Sequence, residues 1–175
     1  MNMTMKKKLI VTSLLAASVF ASTANASTGT INVTGSISAS PCVVTSTATT
    51  VNMPLITNEQ LGNSAGEFSK DSTTDLTINL TGCPAISQTA TVKFSGKADT
   101  DNIDAWKLAG VEGAALALFE SDDVTQIKIN TNAKPQDMAS ATSKDLTYKL
   151  KYVKTSKTLT SGDASAAVNY EITYN

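Results

Sequence analysis

Cys42 and Cys83 are the residues of this 175-residue chain whose type and number point most directly to a covalent chemistry. An even count favours one disulfide in an exported protein. Closing a loop of about 40 residues, it would contribute on the order of 4 kcal/mol in the chain-entropy description. The two are too far apart for a CxxC redox motif, and two thiols alone make no zinc site. The remaining inventory is poor in catalytic types. The chain has no histidine, which removes the commonest general base and the commonest metal ligand. It has no glycine-rich phosphate loop and no HExxH cluster. The acidic neighbours Asp122-Asp123, and Asp99 with Asp101, fall in polar turns and read as solvated loops. Serine and lysine are plentiful, but no spacing brings a particular pair together. The expectation is a protein that is not an enzyme and holds neither cofactor nor metal.

Charge and targeting narrow the class further. Lys6, Lys7 and Lys8 precede an apolar run from Leu9 to Phe20, followed by the small residues Ala24-Asn25-Ala26. That run is too short to span a bilayer, and the three parts together read as a secretory signal peptide over residues 1–26. Removing it leaves 149 residues, enough for one domain with a sizeable core. Eleven lysines then stand against fifteen acids, a net charge near −4. With no arginine in the chain, this balance argues against nucleic-acid recognition, which leans on arginine and on net positive charge. No later stretch approaches transmembrane length, so no membrane insertion is expected after cleavage.

The elements that would position these residues are strands. The mature sequence is rich in Thr, Ser, Val, Ile and Ala, and short alternating runs recur between polar punctuation. Val43-Val44 follows the first cysteine, and Val51 to Ile56 is a further short run in which Pro54 marks an edge or a bend. Residues 58–72 read as a loop. Leu76, Ile78 and Leu80 share one face of a strand that leads to Cys83, and Ala90, Val92 and Phe94 repeat the pattern. A polar turn spans 99–104, and Trp106 and Leu108 open a short strand. Ala114 to Phe119 is nearly continuous and apolar; its length and the preceding Gly110 and Gly113 favour a buried strand over a helical turn. Val124, Ile127 and Ile129 form a weak strand, and 131–142 reads as a loop containing Pro135. Leu146, Tyr148, Leu150 and Tyr152 alternate with Lys149, Lys151 and Lys154, which are expected on the solvent face. Ser161-Gly162-Asp163 turns the chain into a last strand. About seven strands and no long helix give an all-β fold, a β-sandwich.

The two ends of the mature chain carry the functional signal. In the last strand Val168, Tyr170, Ile172 and Tyr174 share one face and Asn169, Glu171, Thr173 and Asn175 the other. This half-buried pattern runs to the final residue, and nothing follows to cover the strand's far edge. Ahead of Cys42, Ile31, Val33, Gly35, Ile37 and Ala39 alternate with Thr30, Asn32, Thr34, Ser36 and Ser38. Such a segment can add to an open sheet edge of another molecule, or it can be the first strand of its own domain. Gly35 stands in the apolar row where a side chain would be expected, which suits a groove too shallow there for a Cβ.

Gly29-Thr-Ile-Asn-Val-Thr-Gly35 followed by Cys42 resembles the N-terminal extension of type 1-like fimbrial (pilus) subunits of the chaperone–usher pathway. Leu76-Thr-Ile-Asn-Leu-Thr-Gly-Cys83, the runs Val51 to Ile56 and Ala115 to Phe119, and a last strand with penultimate Tyr174 are similar to that family in the same order. The resemblance implies an incomplete immunoglobulin-like sandwich, the pilin fold, lacking strand G and completed by donor-strand exchange. It divides the chain into a signal peptide (1–26), a donor-strand extension (27–40) and an incomplete pilin domain (41–175). Ile31, Val33, Gly35 and Ile37 would form the donor row. Val168, Tyr170, Ile172 and Tyr174 would line the acceptor groove, with the Asn175 carboxylate engaging a chaperone. The implied partners are other pilin subunits, a periplasmic chaperone and an outer-membrane usher, and the implied destination is the surface fimbria of a Gram-negative bacterium. The role implied is a structural subunit, the major shaft pilin. A minor adaptor pilin and a self-contained exported immunoglobulin-like binding module are the alternatives.

Overall fold

The computed structural model describes residues 32, 34, 35, 41–45 and 50–175. The chain divides into two compact units, Met1–Ile37 and Ser38–Asn175. In the first, Asn32, Thr34 and Gly35 are exposed; the expected leader and the donor-row residues Ile31, Val33 and Ile37 lie outside the described residues. The second unit is built from strands β1 (Val43–Val44), β2 (Thr74–Thr81), β3 (Thr89–Gly96), β4 (Trp106–Lys107), β5 (Ala114–Glu120), β6 (Gln126–Ile127), β7 (Gln136–Asp137), β8 (Ser143–Lys154) and β9 (Val168–Tyr174), with one short helix, α1 (Asn58–Leu61). Five strands are long and four are two-residue pieces, so about seven expected from sequence become nine among the described residues. All pairings are antiparallel. The larger sheet runs β1-β2-β8-β5-β4, with β6 on β5, and the smaller runs β7-β3-β9.

The inner faces of the two sheets make the main core. Leu80, Val92, Phe94, Trp106, Leu118, Leu146 and Tyr148 are fully buried there. Phe94 and Tyr148 meet edge to face with centroids 4.8 Å apart, a favoured aromatic geometry. The Trp106 indole donates to the Ser95 carbonyl at 3.1 Å, so its one polar atom is satisfied inside the core. Gly96 makes room for it: a Cβ there would lie 2.7 Å from the indole ring and 2.8 Å from the Ala167 carbonyl oxygen. Gly96→Ala is therefore expected to destabilise the domain by about 1–3 kcal/mol, measurable as a lowered midpoint in denaturant unfolding.

Tyr148 ties the core to solution pH. Burial, with the nearby charge of Glu120, raises its hydroxyl well above the ordinary value of 10.0. The folded state therefore holds this proton more tightly than the unfolded chain does. The stability it contributes is complete below about pH 10 and is lost as pH rises further. No side-chain type of ordinary value titrates between about pH 5 and 9 in a chain without histidine whose cysteines are paired. The melting temperature is expected to stay flat across that range and to fall above about pH 10, as followed by circular dichroism.

Strand β5 is buried along all seven residues, as its apolar run predicts, because both of its faces are covered. Leu116 and Leu118 enter the main core, while Ala115, Ala117 and Phe119 join Ala105 and Val153 in a second cluster under Phe68. Phe68 and Phe119 meet edge to face at 5.0 Å. The cover comes from residues 58–72, expected to be a loop. There, α1 is capped by Thr57 in a reciprocal arrangement with Gln60. Beyond it, Gly66, Glu67 and Ser69 bond the backbone of Tyr152 and Lys154.

The same cover corrects the solvent face expected for β8. Lys149 behaves as predicted and pairs with Asp75 at 2.7 Å near the surface. Lys151 is instead buried, its Nζ 2.9 Å from Asp123 and 4.9 Å from the centre of the Phe119 ring. Its aliphatic stem covers apolar surface while the ammonium finds a carboxylate and a ring face. Lys154 falls in the alternation of Tyr152 rather than of Lys151. Two other expectations change. Val51 to Ile56 forms no strand, although Val51 and Met53 are half-buried and Asn52 between them is exposed. The weak strand at Val124 shrinks to β6, with Val124 itself exposed and Ile127 and Ile129 buried.

The acidic turns fold as expected from polar loops. Asp122 accepts from the backbone N–H groups of Thr125 and Val124, at 2.8 and 2.9 Å, and from the Thr125 hydroxyl at 2.7 Å. Those bonds hold its carboxyl well below the ordinary carboxylate range. Asp99 accepts in the same way from the N–H groups of Asp101 and Asn102.

Candidate functional site

Strand β9 is a long edge strand of the smaller sheet among the described residues. It pairs with β3 over seven positions, from Ala90 opposite Tyr174 to Gly96 opposite Val168. Among the described residues no other strand pairs with it, so it forms the edge of the smaller sheet. Thr89 and Asn175 exchange both backbone hydrogen bonds, at 2.8 and 3.1 Å. Antiparallel pairing alternates bonded and non-bonded pairs, so the N–H and C=O groups of Val168, Ile172 and Tyr174 are directed away from β3, toward the edge.

The side chains show the same incompleteness. Val168, Tyr170, Ile172 and Tyr174 are half-buried while the residues between them are exposed. Opposite them, Ala90, Val92 and Phe94 are fully buried. The inner face of β9 thus rests on the core and stays part-exposed along its length. Beside the start of this strand lies a cavity of about 670 Å³, with Val168 and Tyr170 on one wall and Val51 and Met53 on the other. Its floor includes Phe94 from the smaller sheet and Leu150 from the larger. A second cavity of about 480 Å³ shares Met53, Leu108 and Tyr152 with the first and continues toward Leu159. The first, lined from both sheets, therefore opens onto the interior of the sandwich. Burial raises the Tyr152 and Tyr174 hydroxyls above their ordinary value.

The structure brings Val168 and Tyr170 into the cavity. Ile172 and Tyr174 continue the same face beyond it and pack against the main core. Asn175 is tied to Thr89 by its backbone. Cys42 and Cys83 form a disulfide with Cα atoms 4.2 Å apart. It staples the chain just before β1 to the segment leaving β2, next to the pairing of Val43 with Thr81. Gly35 is exposed, and a Cβ on it would meet open space. The sequence reading did not assign Val51 and Met53 to a wall of the groove, although their alternation ahead of Pro54 marks one face of an extended segment. Alternation marks Leu108 and Leu150 as inward-facing, but no local signal sets them under the opening.

A disulfide-stapled, two-sheet, immunoglobulin-like sandwich with an open edge over its core is a pilin-type fold. Residues 31–175 match the family model described as fimbrial protein, and the chain belongs to that family. It is 29% identical over 165 residues to the probable fimbrial subunit LpfE of Escherichia coli O157:H7, covering 93% of this chain and 92% of the relative. Its fold is similar to that of the P pilus rod subunit PapA, with a TM-score of 0.65 at 20% identity over 78% of this chain and all of the other. A chain from a chaperone–usher pilus, in a structure concerned with rod uncoiling, gives a TM-score of 0.63 at 19% identity over 85% of this chain and 96% of the other. The protein is a fimbrial subunit, a member of a structural rather than an enzymatic family.

Proposed function

We propose that this subunit polymerises by donor-strand exchange, its groove accepting the N-terminal segment of a neighbouring copy. The observation that carries this reading is the edge of β9, with backbone groups directed outward above a cavity that reaches the core. An added strand would satisfy those groups, and its alternate side chains would cover the half-buried row. The segment 27–40 has the required pattern, with Ile31, Val33, Gly35 and Ile37 on one face. Donor and groove belong to different parts of the chain, so the contact is heterologous and propagates as an open fibre rather than closing into a ring. A chain with both halves can repeat along a shaft, and the major shaft subunit is the role we assign.

The route follows from the same edge. An open edge over apolar surface is an aggregation hazard, so a periplasmic chaperone would mask β9 after the leader 1–26 is removed. An outer-membrane usher would then exchange the chaperone for the next subunit's donor. The test is a denaturing gel of surface fibres with and without boiling. A ladder of multimers that collapses only on strong heating is expected. A subunit that runs as a monomer without heating contradicts the proposal.

A further inference from the structure

We infer that Gln88 and Tyr174 form a polar stop at one end of the acceptor face, where they hydrogen-bond the end of an incoming N-terminal strand from a second copy and fix its register. The inference rests on the donor-strand reading above. Its starting point is a pair of polar atoms with no partner. The Gln88 Nε2 and the Tyr174 hydroxyl are both buried and hydrogen-bonded to nothing among the described residues. Gln88 as a whole is only 8% exposed. A buried donor or acceptor left unmade costs about 1–3 kcal/mol, and a native structure that retains two of them at one corner calls for a partner. The fully buried Tyr148 is treated differently: its hydroxyl receives a hydrogen bond from Gln136 at 3.3 Å.

Sheet register sets the two residues on the same side of the smaller sheet, at one end of β9. Ala90 lies opposite Tyr174, and Gln88 is two residues before Ala90, hence on the same side of the sheet and diagonal to Tyr174. The backbone at this corner is held by the bonds between Thr89 and Asn175 and by Met138 N–H donating to the Gln88 carbonyl at 3.0 Å. The Gln88 side-chain N–H groups and the Tyr174 O–H can donate, and the Tyr174 oxygen can accept. A strand's main-chain carbonyl or a small hydroxyl side chain would satisfy them.

Register follows from length. The acceptor row Val168, Tyr170, Ile172 and Tyr174 has four positions, and so does the donor row Ile31, Val33, Gly35 and Ile37. Each spans roughly 20 Å at about 3.3 Å per residue. Matched end to end, the donor's large apolar side chains run out as the strand passes Tyr174. The residue of the same face that then reaches Gln88 is Gly29 or Ala39, depending on strand direction, and either leaves main-chain groups accessible. A slip of two residues sets Ile31 or Ile37 over the polar pair and strands it. The stop thus penalises the slipped pairings that a simple alternating row would tolerate.

The test uses monomeric mature subunit and two synthetic peptides: residues 27–40, and the same peptide with its apolar row displaced by two positions. Tyr174→Phe and Gln88→Leu are compared with wild type by peptide dissociation rate and by the melting temperature of the peptide-free subunit. Each variant is expected to release the native peptide about tenfold faster and to lose preference over the displaced one. The melting temperature of the free subunit should stay the same or rise, because a stranded polar group has been removed. The inference is overturned if both variants hold the native peptide as long as wild type does. It is overturned equally if they lower the melting temperature of the free subunit and leave the peptide preference intact. Failure of the wild-type subunit to hold the native peptide would instead sink the donor-strand reading itself, and the stop with it.

Discussion

Gly35→Arg is expected to abolish incorporation of the subunit into fibres while leaving its own domain folded. Gly35 is exposed, and a Cβ built there meets open space among the described residues. The cost falls on assembly. In the donor row a guanidinium at position 35 would be carried into an apolar groove whose floor includes Phe94 and Leu150. Burying an unpaired charge there costs several kcal/mol even after relaxation, more than 100-fold in affinity at 1.4 kcal/mol per decade. The variant should keep the wild-type melting temperature and still accept a wild-type donor, yet add no further subunit behind itself. Mixing experiments read on denaturing gels without boiling would show it. If the variant is unfolded or proteolysed before assembly, the segment around Gly35 is an internal strand of its own domain.

The second large effect is stabilisation of the groove by its ligand. A peptide of residues 27–40 is expected to raise the unfolding free energy of the subunit by several kcal/mol. Burial of Ile31, Val33 and Ile37 contributes about 1.5–3 kcal/mol each before the cost of ordering the strand. Covering the half-buried face of β9 adds to this. Calorimetry with and without peptide measures the shift, which should grow with peptide concentration. The Gly35→Arg peptide should produce little or none. An equal shift from both peptides would mean that the effect is nonspecific and that the groove does not read the donor row.

Much of this arrangement is legible in the residues. The alternation of Val168, Tyr170, Ile172 and Tyr174 is strict, and the strand has that burial pattern along its length. Ala114 to Phe119 reads as a covered strand because small and apolar residues fill both of its faces, and all seven residues of β5 are buried. The cysteine pair follows from count and context and is joined. What escapes the sequence is whatever depends on a third layer or on register. Lys151 has the spacing of a solvent-facing lysine. It is buried because Asp123, on the turn after β5, and Phe119 reach the same side of the sheet. Val51 to Ile56 has the apolar pattern of a strand but no sheet partner among the described residues, so its alternation appears only as alternating burial along one wall of the groove. Gln88 gives no local sign of its role, since only the pairing of Ala90 with Tyr174 sets it beside that tyrosine.

Amide hydrogen exchange along β9 tests the central claim most directly. The N–H groups of Val168, Ile172 and Tyr174 are directed away from β3, whereas the bonded pairs of Asn169, Glu171 and Thr173 face it. In the isolated subunit the first set should exchange much faster than the second. After residues 27–40 are added as a peptide, or in the assembled fibre, Val168, Ile172 and Tyr174 should become as protected as their neighbours. If these amides are already protected in the isolated subunit, or stay fast in the fibre, the edge of β9 is not where one subunit joins the next.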